Sequence, residues 1–241
     1  MAIKAVLFDF NGVIINDEPI HEQLLEQLLL EENLRPKPGD FRKLCLGRSD
    51  RSCIADLFAS QGRFLSEDYL SRLIERKNRA YRNQLENQEK LPIYIGVADL
   101  IYKLRVAGMK LAIVSGAISS EIKLVLKRAE LAQYFPVVVA GDDLAASKPE
   151  PDGYLLAVER LNREYPDLNL RENECLAIED SPAGIEAAKR AGMPVVGVAN
   201  TYPFHIVQRL ANWAVDYLWD LEIERLDRVY GGFLAASTIE E

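Results

Sequence analysis

The sequence predicts an α/β fold in which a doubly wound parallel sheet carries an inserted all-α segment. From about residue 92 onward, short apolar runs alternate with stretches of helical apolar spacing. That alternation is typical of parallel sheets covered by helices on both faces. One more apolar run stands near the N-terminus, at residues 5–8, and the intervening residues 17–90 hold long amphipathic patterns without a convincing strand.

Each predicted strand is short and apolar throughout, as expected of parallel strands that are buried on both faces. The predicted strands are Ala5–Phe8, Lys110–Ser115, Pro136–Ala140, Cys175–Glu179, Pro194–Val198 and, more weakly, Trp213–Leu218. Helical spacing of apolar residues predicts helices between them and in the insert. These helices are Glu18–Asn33, Ser66–Glu89, Ser119–Glu130 and Asp152–Arg163.

These elements predict two domains. Residues 1–16 and 91–241 form a Rossmann-like α/β core, and residues 17–90 form an all-α cap. We expect hinges near Asn16-Asp17 and Lys90–Pro92, which would let the cap close over a site and exclude water. The tail after Gly231-Gly232 is predicted to be frayed.

Composition limits the classes of function. The chain has 241 residues, enough for one domain with a small insert, and a net charge of −8 without a basic cluster. A nucleic-acid partner is therefore disfavoured. No apolar run approaches the ~20 residues that span a bilayer, so a membrane partner is not expected either. The N-terminus lacks a signal-peptide layout, and we expect a cytoplasmic protein.

The chain has three cysteines, Cys45, Cys53 and Cys175. Their number is odd and their spacing fits no zinc-binding pattern. The sequence therefore predicts three buried, reduced thiols in a reducing compartment.

Polar residues stand where the predicted strands end. In an open parallel sheet, ligands bind beside the carboxyl ends of the strands, so we expect these residues to converge on one edge. They are Asp9 after the first strand, Ser115 and Gly116 after the second, Lys148 in the loop that follows the third, and Glu179 and Asp180 at the end of the fourth.

This set of residues suits a phosphate ester. A magnesium ion held by Asp9 and Asp180, with Glu179 in support, would offset the charge of the phosphate. An aspartate carboxylate can attack phosphorus to give an aspartyl-phosphate. Ser115 can donate a hydrogen bond to a phosphoryl oxygen, and Lys148 can neutralise charge on the transferring group.

Four segments also resemble the motifs of a known family. DFNGV, VSG, SKPEPDGY and IEDSPAGIEAA follow one another as in the haloacid dehalogenase-like hydrolases, above all in the subgroup of β-phosphoglucomutase-like and phosphoglycolate phosphatase-like enzymes. The resemblance covers nearly the whole chain and places the insert where that family has its cap. It implies that Asp9 is the nucleophile and that Asp9, the main-chain carbonyl of Asn11, and Asp180 bind magnesium near Glu179.

The resemblance also implies a substrate. The cap leaves room for a small phosphorylated metabolite, such as a sugar phosphate or a phosphorylated short carboxylic acid, and argues against protein substrates. His21, Arg48 and Lys77 match cap positions near the substrate in β-phosphoglucomutase-like enzymes. Their alternative interpretation is structural, with His21 half-buried on an amphipathic helix and the two cations solvated. We expect a monomer or a weak homodimer.

Asn11 departs from the family pattern, because the family's phosphatases have an aspartate there as general acid and base. An amide cannot move a proton at neutral pH, and loss of that help costs about 10²–10⁴-fold in rate. Three interpretations stay open: a weak phosphatase, a binding or regulatory protein without turnover, or an Asp→Asn change introduced into the chain.

Two further activities fit the sequence less well. A β-phosphoglucomutase-like phosphotransferase would have a Lys-Asn pair shortly after Ser115, where this chain has Gly-Ala-Ile-Ser. Cleavage of a carbon–halogen bond needs no cation, and the Glu179-Asp180 pair argues against it. The sequence therefore favours a magnesium-dependent phosphomonoesterase.

Overall fold

The core of the molecule is a six-stranded parallel sheet. A computed structural model describes residues 3–226. In chain order the strands are β1 (Ala5–Phe8), β2 (Lys110–Val114), β3 (Val137–Val139), β4 (Cys175–Glu179), β5 (Val195–Val198) and β6 (Trp213–Val215). Their order across the sheet is β3-β2-β1-β4-β5-β6. The sequence-predicted strands all exist, and each observed strand lies within its predicted run.

β1 lies in the middle of the sheet and sets the register of the site. Ala5 pairs with Lys110 of β2 and with Cys175 of β4, so the three strands run level with one another. The ladder continues past the end of β1, where the Asp9 amide donates to the Ile178 carbonyl at 2.9 Å. The residues that follow β1, β2 and β4 therefore share one edge.

Helices cover both faces of the sheet. In chain order the α-helices are α1 (Glu18–Glu31), α2 (Asp40–Leu44), α3 (Asp50–Ala59), α4 (Glu67–Glu86), α5 (Val97–Val106), α6 (Ser119–Arg128), α7 (Asp152–Glu164), α8 (Pro182–Arg190) and α9 (Phe204–Leu210). Short 3₁₀ turns occur at Ala132–Tyr134, Gly141–Asp143, Pro166–Leu168, Glu172–Glu174, Leu218–Asp220 and Ile223–Arg225.

Alternate residues of β1 enter two apolar layers, as the period of a strand dictates. Val6 and Phe8 pack with α5 and α6 on one face, whereas Ala5 and Leu7 pack with α7, α8 and α9 on the other. All four β1 side chains are fully buried. The result is the three-layer α/β core that the sequence predicts.

Helices α1 to α4 follow β1 and build an apolar core of their own. Leu25 and Leu28 of α1 pack there against Ile54 and Phe58 of α3 and against Leu73 of α4. Serine hydroxyls cap the N-termini of α3 and α4. The sequence predicted a long helix at each end of this segment and missed α2 and α3 between them, because each is short and its apolar pattern spans few turns.

The helical insert also packs against the α/β core. Tyr81 of α4 is fully buried in the same apolar layer as Phe8. Arg128 of α6 donates to the Leu85 carbonyl in the last turn of α4 and, at 2.7 Å, to the Gln88 carbonyl that follows this helix. These contacts seat the insert over the edge of the sheet where β1, β2 and β4 end.

One cysteine prediction is wrong. Cys45 and Cys53 form a disulfide, whereas Cys175 is a free, buried thiol as expected. The turn between α2 and α3 brings the two Cα atoms to 4.5 Å, a proximity that a separation of eight residues does not reveal in the sequence. The disulfide argues against the predicted cytoplasmic location, since disulfides are uncommon in reducing compartments.

None of the helices within residues 3–226 is both long and apolar enough to cross a membrane. The tail for which fraying was predicted lies outside the described residues.

The close contact between β5 and α9 yields a stability prediction. A methyl group added at Gly197 would overlap Val207 Cγ1 of α9, so Gly197→Ala should lower the free energy of unfolding by about 1–3 kcal/mol. Val207→Ala opens space at the same point. The double variant should therefore be more stable than the sum of the two single effects predicts, as measured by urea denaturation. Strictly additive effects would show that the contact with Val207 is not the cause of the destabilisation by Gly197→Ala.

Candidate active site

A buried ammonium group holds the carboxyl edge of the sheet together. Lys148 Nζ lies 2.9 Å from Asp9 Oδ1 and 2.6 Å from Glu179 Oε1, and it donates to the Val114 carbonyl at 3.1 Å. Lys148 belongs to the loop between β3 and α7, and its partners end β1, β4 and β2. The cation that the sequence placed near the strand ends is therefore aimed at the nucleophile candidate.

Glu179 is fixed by hydrogen bonds to both of its oxygens. Oε1 also accepts from the Tyr154 hydroxyl at 2.7 Å, and Oε2 accepts from the Ser181 hydroxyl at 3.3 Å. A methyl group at Gly184, in the first turn of α8, would overlap this carboxylate. The helix can approach the carboxylate this closely only because residue 184 has no side chain.

Asp180 differs from Glu179, because its Oδ1 is buried without a hydrogen-bond partner in the described part of the chain. One ligand atom each from Asp9, Glu179 and Asp180 lie within 4.8 Å of one another. A buried, unpaired carboxylate oxygen is costly unless a cation or donor satisfies it. Three clustered carboxylates are the hard oxygen donors that Mg²⁺ prefers, so the residues fit a magnesium site.

The electrostatics of the cluster agree with that fit. Burial and the nearby Glu179 carboxylate raise the pKa of Asp9 from its ordinary 3.8 to about 7, against the pull of Lys148. Burial, together with Asp9 and Glu179, also raises the pKa of Asp180 well above 3.8. Although burial opposes its charge, the Asp9 and Glu179 carboxylates raise the pKa of Lys148, which stays protonated. A divalent cation would relieve the repulsion among the carboxylates.

The turn after Asp9 positions the backbone of residue 11 beside these groups. Gly12 has φ +79°, in the left-handed region, and a Cβ there would overlap Asp180 Oδ2. Glycine is therefore required at this position on both conformational and steric grounds. The Asn200 amide, just after β5, donates to the Gly12 carbonyl at 2.7 Å and helps to fix the turn.

The Asn11 side chain is held by a carboxylate that the sequence analysis missed. Its Nδ2 donates to both oxygens of Asp17, at 2.9 and 3.0 Å, and its Oδ1 lies 3.5 Å from Ser115 Oγ. Asp17 is fully buried and also accepts from the Tyr81 hydroxyl and pairs with His21 at 3.3 Å. Asn11 is therefore a donor that the surrounding network uses, and an aspartate there would face a buried carboxylate.

Two adjoining cavities open beside the cluster. The first lies between the sheet edge and the helical insert, and the second lies beside the loop that carries Lys148. Six predicted site residues line the first cavity, namely Asp9, Asn11, His21, Arg48, Gly116 and Asp180. Ser115, Gly116 and Lys148 line the second. Glu179 lies behind these walls.

The structure places the two predicted cap cations differently from the expectation of solvated side chains. Lys77 has a fully buried side chain, and its Nζ donates to both oxygens of Asp50 at 2.9 and 2.7 Å. It is not among the residues that line the first cavity. Arg48 does line that cavity, but its guanidinium pairs with Asp56 at 2.6 Å and donates to the Leu44 carbonyl at 3.0 Å.

Several residues around the site were missed from the sequence. The most important are Asp17, Glu18, Asp50, Tyr81, Glu121 and Tyr154. Tyr154 ends the quoted SKPEPDGY segment, and Asp17 directly precedes α1, the helix that carries the predicted His21. Asp50, Tyr81 and Glu121 carry no local signal, because their roles depend on the packing of distant helices.

Known proteins share these features of sequence. A family model described as "Haloacid dehalogenase-like hydrolase" matches residues 6–198. A phosphorylated carbohydrates phosphatase of Thermotoga maritima is 29% identical over 201 residues, covering 83% of this chain and 87% of that protein. A β-phosphoglucomutase of Bacillus subtilis is 29% identical over 206 residues, covering 83% of this chain and 85% of that protein.

A solved structure shares the fold. A β-phosphoglucomutase from Clostridium difficile superimposes with a TM-score of 0.84 at 23% identity, covering 97% of this chain and 99% of that chain. The architecture predicted from the sequence, with a parallel sheet and helical insert, is thus confirmed at the level of fold.

The pKa of Asp9 predicts how stability depends on pH without metal. Between about pH 4 and about pH 7 the unfolded chain has lost a proton that folded Asp9 retains, so the free energy of unfolding should fall as pH rises. Glu18 and Glu121, each with a pKa raised by burial to about 7, act in the same direction. Asp9→Asn should therefore show a shallower decline in urea denaturation with a chelator present. An equal slope would contradict the shift at Asp9.

Proposed function

Because the chain belongs to the haloacid dehalogenase-like hydrolase family, we propose that it hydrolyses phosphate monoesters of small metabolites through a phosphorylated Asp9. One observation carries the proposal: the Lys148 ammonium and the Asp9 and Asp180 carboxylates converge on a cavity. A divalent cation would offset the excess negative charge of the three carboxylates over the single ammonium, so that an anionic ester can approach. The similarity to a relative named as a phosphatase of phosphorylated carbohydrates supports this reaction class.

The proposed reaction has two steps. An Asp9 carboxylate oxygen attacks phosphorus, the bond from phosphorus to the ester oxygen breaks, and the leaving alkoxide takes a proton from a water molecule, because Asn11 cannot supply one. Water then attacks the aspartyl-phosphate, which returns Asp9 and releases inorganic phosphate. Lys148 neutralises negative charge on the transferring group, and the Ser115 hydroxyl donates to one of its oxygens.

The magnesium site is proposed from the donors present. Asp9, Asp180 and the main-chain carbonyl of Asn11 would hold the ion, which supplies positive charge to offset that of the phosphate. Glu179 was predicted as a further ligand. Because Lys148, Tyr154 and Ser181 already occupy its oxygens, we assign it to the orientation of Lys148 beside the ion.

The helical insert, placed at residues 17–90, acts in this proposal as a cap that closes over a small substrate. Its contacts with the core include the bond from the Ser49 amide to the Ser147 hydroxyl, at 2.9 Å. Hinges near Asn16-Asp17 and Lys90–Pro92 would let it open for exchange. A small phosphorylated metabolite is the proposed partner.

Asn11 favours a second candidate, a binding protein that keeps the site without turnover. The amide is held by Asp17 and cannot shuttle a proton. Binding of magnesium and a phosphate ester uses groups that remain in place. If the chain is instead the proposed phosphatase, the absence of a general acid at residue 11 makes it slow and favours esters with good leaving groups.

The remaining alternatives have less support. The similarity to a relative named β-phosphoglucomutase supports phosphotransfer as an alternative activity. However, residues 116–119 run Gly-Ala-Ile-Ser and lack the Lys-Asn pair expected of that activity. The orphaned Asp180 oxygen fits a cation, which carbon–halogen cleavage does not need.

A phosphate-release screen with and without magnesium tests the function. The chain should hydrolyse activated esters slowly, and Asn11→Asp should raise the rate by about 10²–10⁴-fold because it restores a general acid and base. Since the introduced carboxylate would repel Asp17, the exchange variant Asn11→Asp/Asp17→Asn is the matched control, and it should recover stability lost in the single variant. If neither the parent nor either variant releases phosphate while magnesium binding persists by calorimetry, the binding-protein alternative is correct.

Lys148 gives a separate prediction. Lys148→Met should lower kcat by about 10²–10³-fold, because a charge aimed at the transferring group is lost. The exposed Lys189 of α8 offers the control Lys189→Met, which should keep the parent rate. Circular dichroism and urea denaturation verify that both variants fold. A folded Lys148→Met variant with the parent kcat would remove Lys148 from the mechanism.

A further inference from the structure

Glu121 is a buried carboxylate without a hydrogen bond. It lies in the first turn of α6, 1% exposed, and it helps to line the first cavity. Neither of its oxygens has a hydrogen-bond partner within residues 3–226. The nearest cation is Lys77, whose Nζ is 3.8 Å from Oε1 and thus beyond hydrogen-bond distance.

An unsatisfied buried carboxylate is uncommon in proteins, because losing water without gaining a donor costs free energy. Lys77 forms an ion pair with Glu121 at 3.8 Å but no hydrogen bond, and two of its three N–H donors go to the Asp50 oxygens at 2.9 and 2.7 Å. Asp50 also lines the cavity and adds a second carboxylate to the same wall. The donors that Glu121 lacks can come from a molecule in the cavity.

The wall around Glu121 limits what that molecule can be. Among the cations near this wall, Lys77 is held by Asp50 and Arg48 is paired with Asp56. His21 is paired with Asp17. A carboxylate on the substrate would therefore meet two acidic side chains and no uncommitted cation among these three. Hydroxyl groups would meet acceptors.

We propose that Glu121 is a specificity residue that accepts hydrogen bonds from hydroxyl groups of the substrate, so that the site selects phosphorylated polyols and sugars over phosphorylated carboxylic acids. This inference rests on the proposed function and concerns the same cavity. It divides the two substrate types that the sequence left open, sugar phosphates and phosphorylated short acids.

The protonation of Glu121 is compatible with this role. Burial raises the pKa of Glu121 to about 7, against the pull of the Lys77 ammonium. Near neutral pH the group can accept a hydrogen bond or, when protonated, donate one. Hydroxyl groups are suited to both arrangements.

Binding in the Asp9→Asn background with magnesium separates recognition from turnover. Calorimetry would compare glucose 6-phosphate, hexyl phosphate without hydroxyl groups on its chain, and phosphoglycolate. The added variants are Glu121→Leu, which removes hydrogen bonding, and Glu121→Gln, which keeps it without charge. Glu159→Gln on the exposed face of α7 is the control.

Glu121→Leu should weaken glucose 6-phosphate binding by about tenfold or more and change hexyl phosphate binding by less than about threefold. Glu121→Gln should largely keep the glucose 6-phosphate affinity, and both variants should bind phosphoglycolate more tightly. Equal losses for glucose 6-phosphate and hexyl phosphate would show a structural role and overturn the inference, as would unchanged affinities for all three.

The two proposals fail in distinguishable ways. If Glu121→Leu weakens glucose 6-phosphate binding selectively but the screen detects no phosphate release, the hydrolase proposal fails and the role of Glu121 in binding stands. If neither the Asp9→Asn chain nor the parent chain binds any of the three phosphates, the role of Glu121 is refuted, whatever the screen shows. Denaturation curves of the Leu variant verify that a lost affinity does not reflect unfolding.

Discussion

The ammonium group of Lys148 is the interaction on which this molecule most depends. It is 8% exposed and joins groups from β1, β2 and β4, so that a single charge connects three neighbouring strands. Without it, Asp9 and Glu179 would be like charges buried side by side, and several kcal/mol would be needed to keep them ionised. The same placement that stabilises the sheet edge aims the cation at the nucleophile candidate. Stability and chemistry are thus coupled at this lysine.

A second polar network ties the helical insert to the core. Asp17 accepts hydrogen bonds from Asn11 of the core and from Tyr81 of α4, and it is buried completely. Because the carboxylate is shared, the identity of residue 11 affects how the insert is held as well as how a proton moves.

Elements that depend on local pattern and on topology could be predicted from the sequence. Strand–helix alternation predicted the sheet, and the rule that ligands bind at strand ends placed Asp9 and Lys148 together. Partners that meet through the packing of distant helices left no such signal. Glu121 approaches Lys77 across 44 positions of sequence (121 − 77), and Arg48 is paired with Asp56 rather than left free for a ligand. The disulfide and the Arg48–Asp56 pair were missed for a different reason, since each joins residues eight positions apart and spacing alone does not fix the conformation of the intervening chain.

The central position of β1 has a consequence for biosynthesis. β1 is made first, yet its neighbours β2 and β4 begin at residues 110 and 175. At about 5–20 residues per second, its hydrogen-bonding edges wait several seconds on the ribosome for β2 and longer for β4. During that interval the apolar strand lacks both of its hydrogen-bonding neighbours, whereas the helices of the insert, which share an apolar core, have already been synthesised. A nascent chain stalled before residue 175 would have the nucleophile candidate and none of the acidic partners from β4.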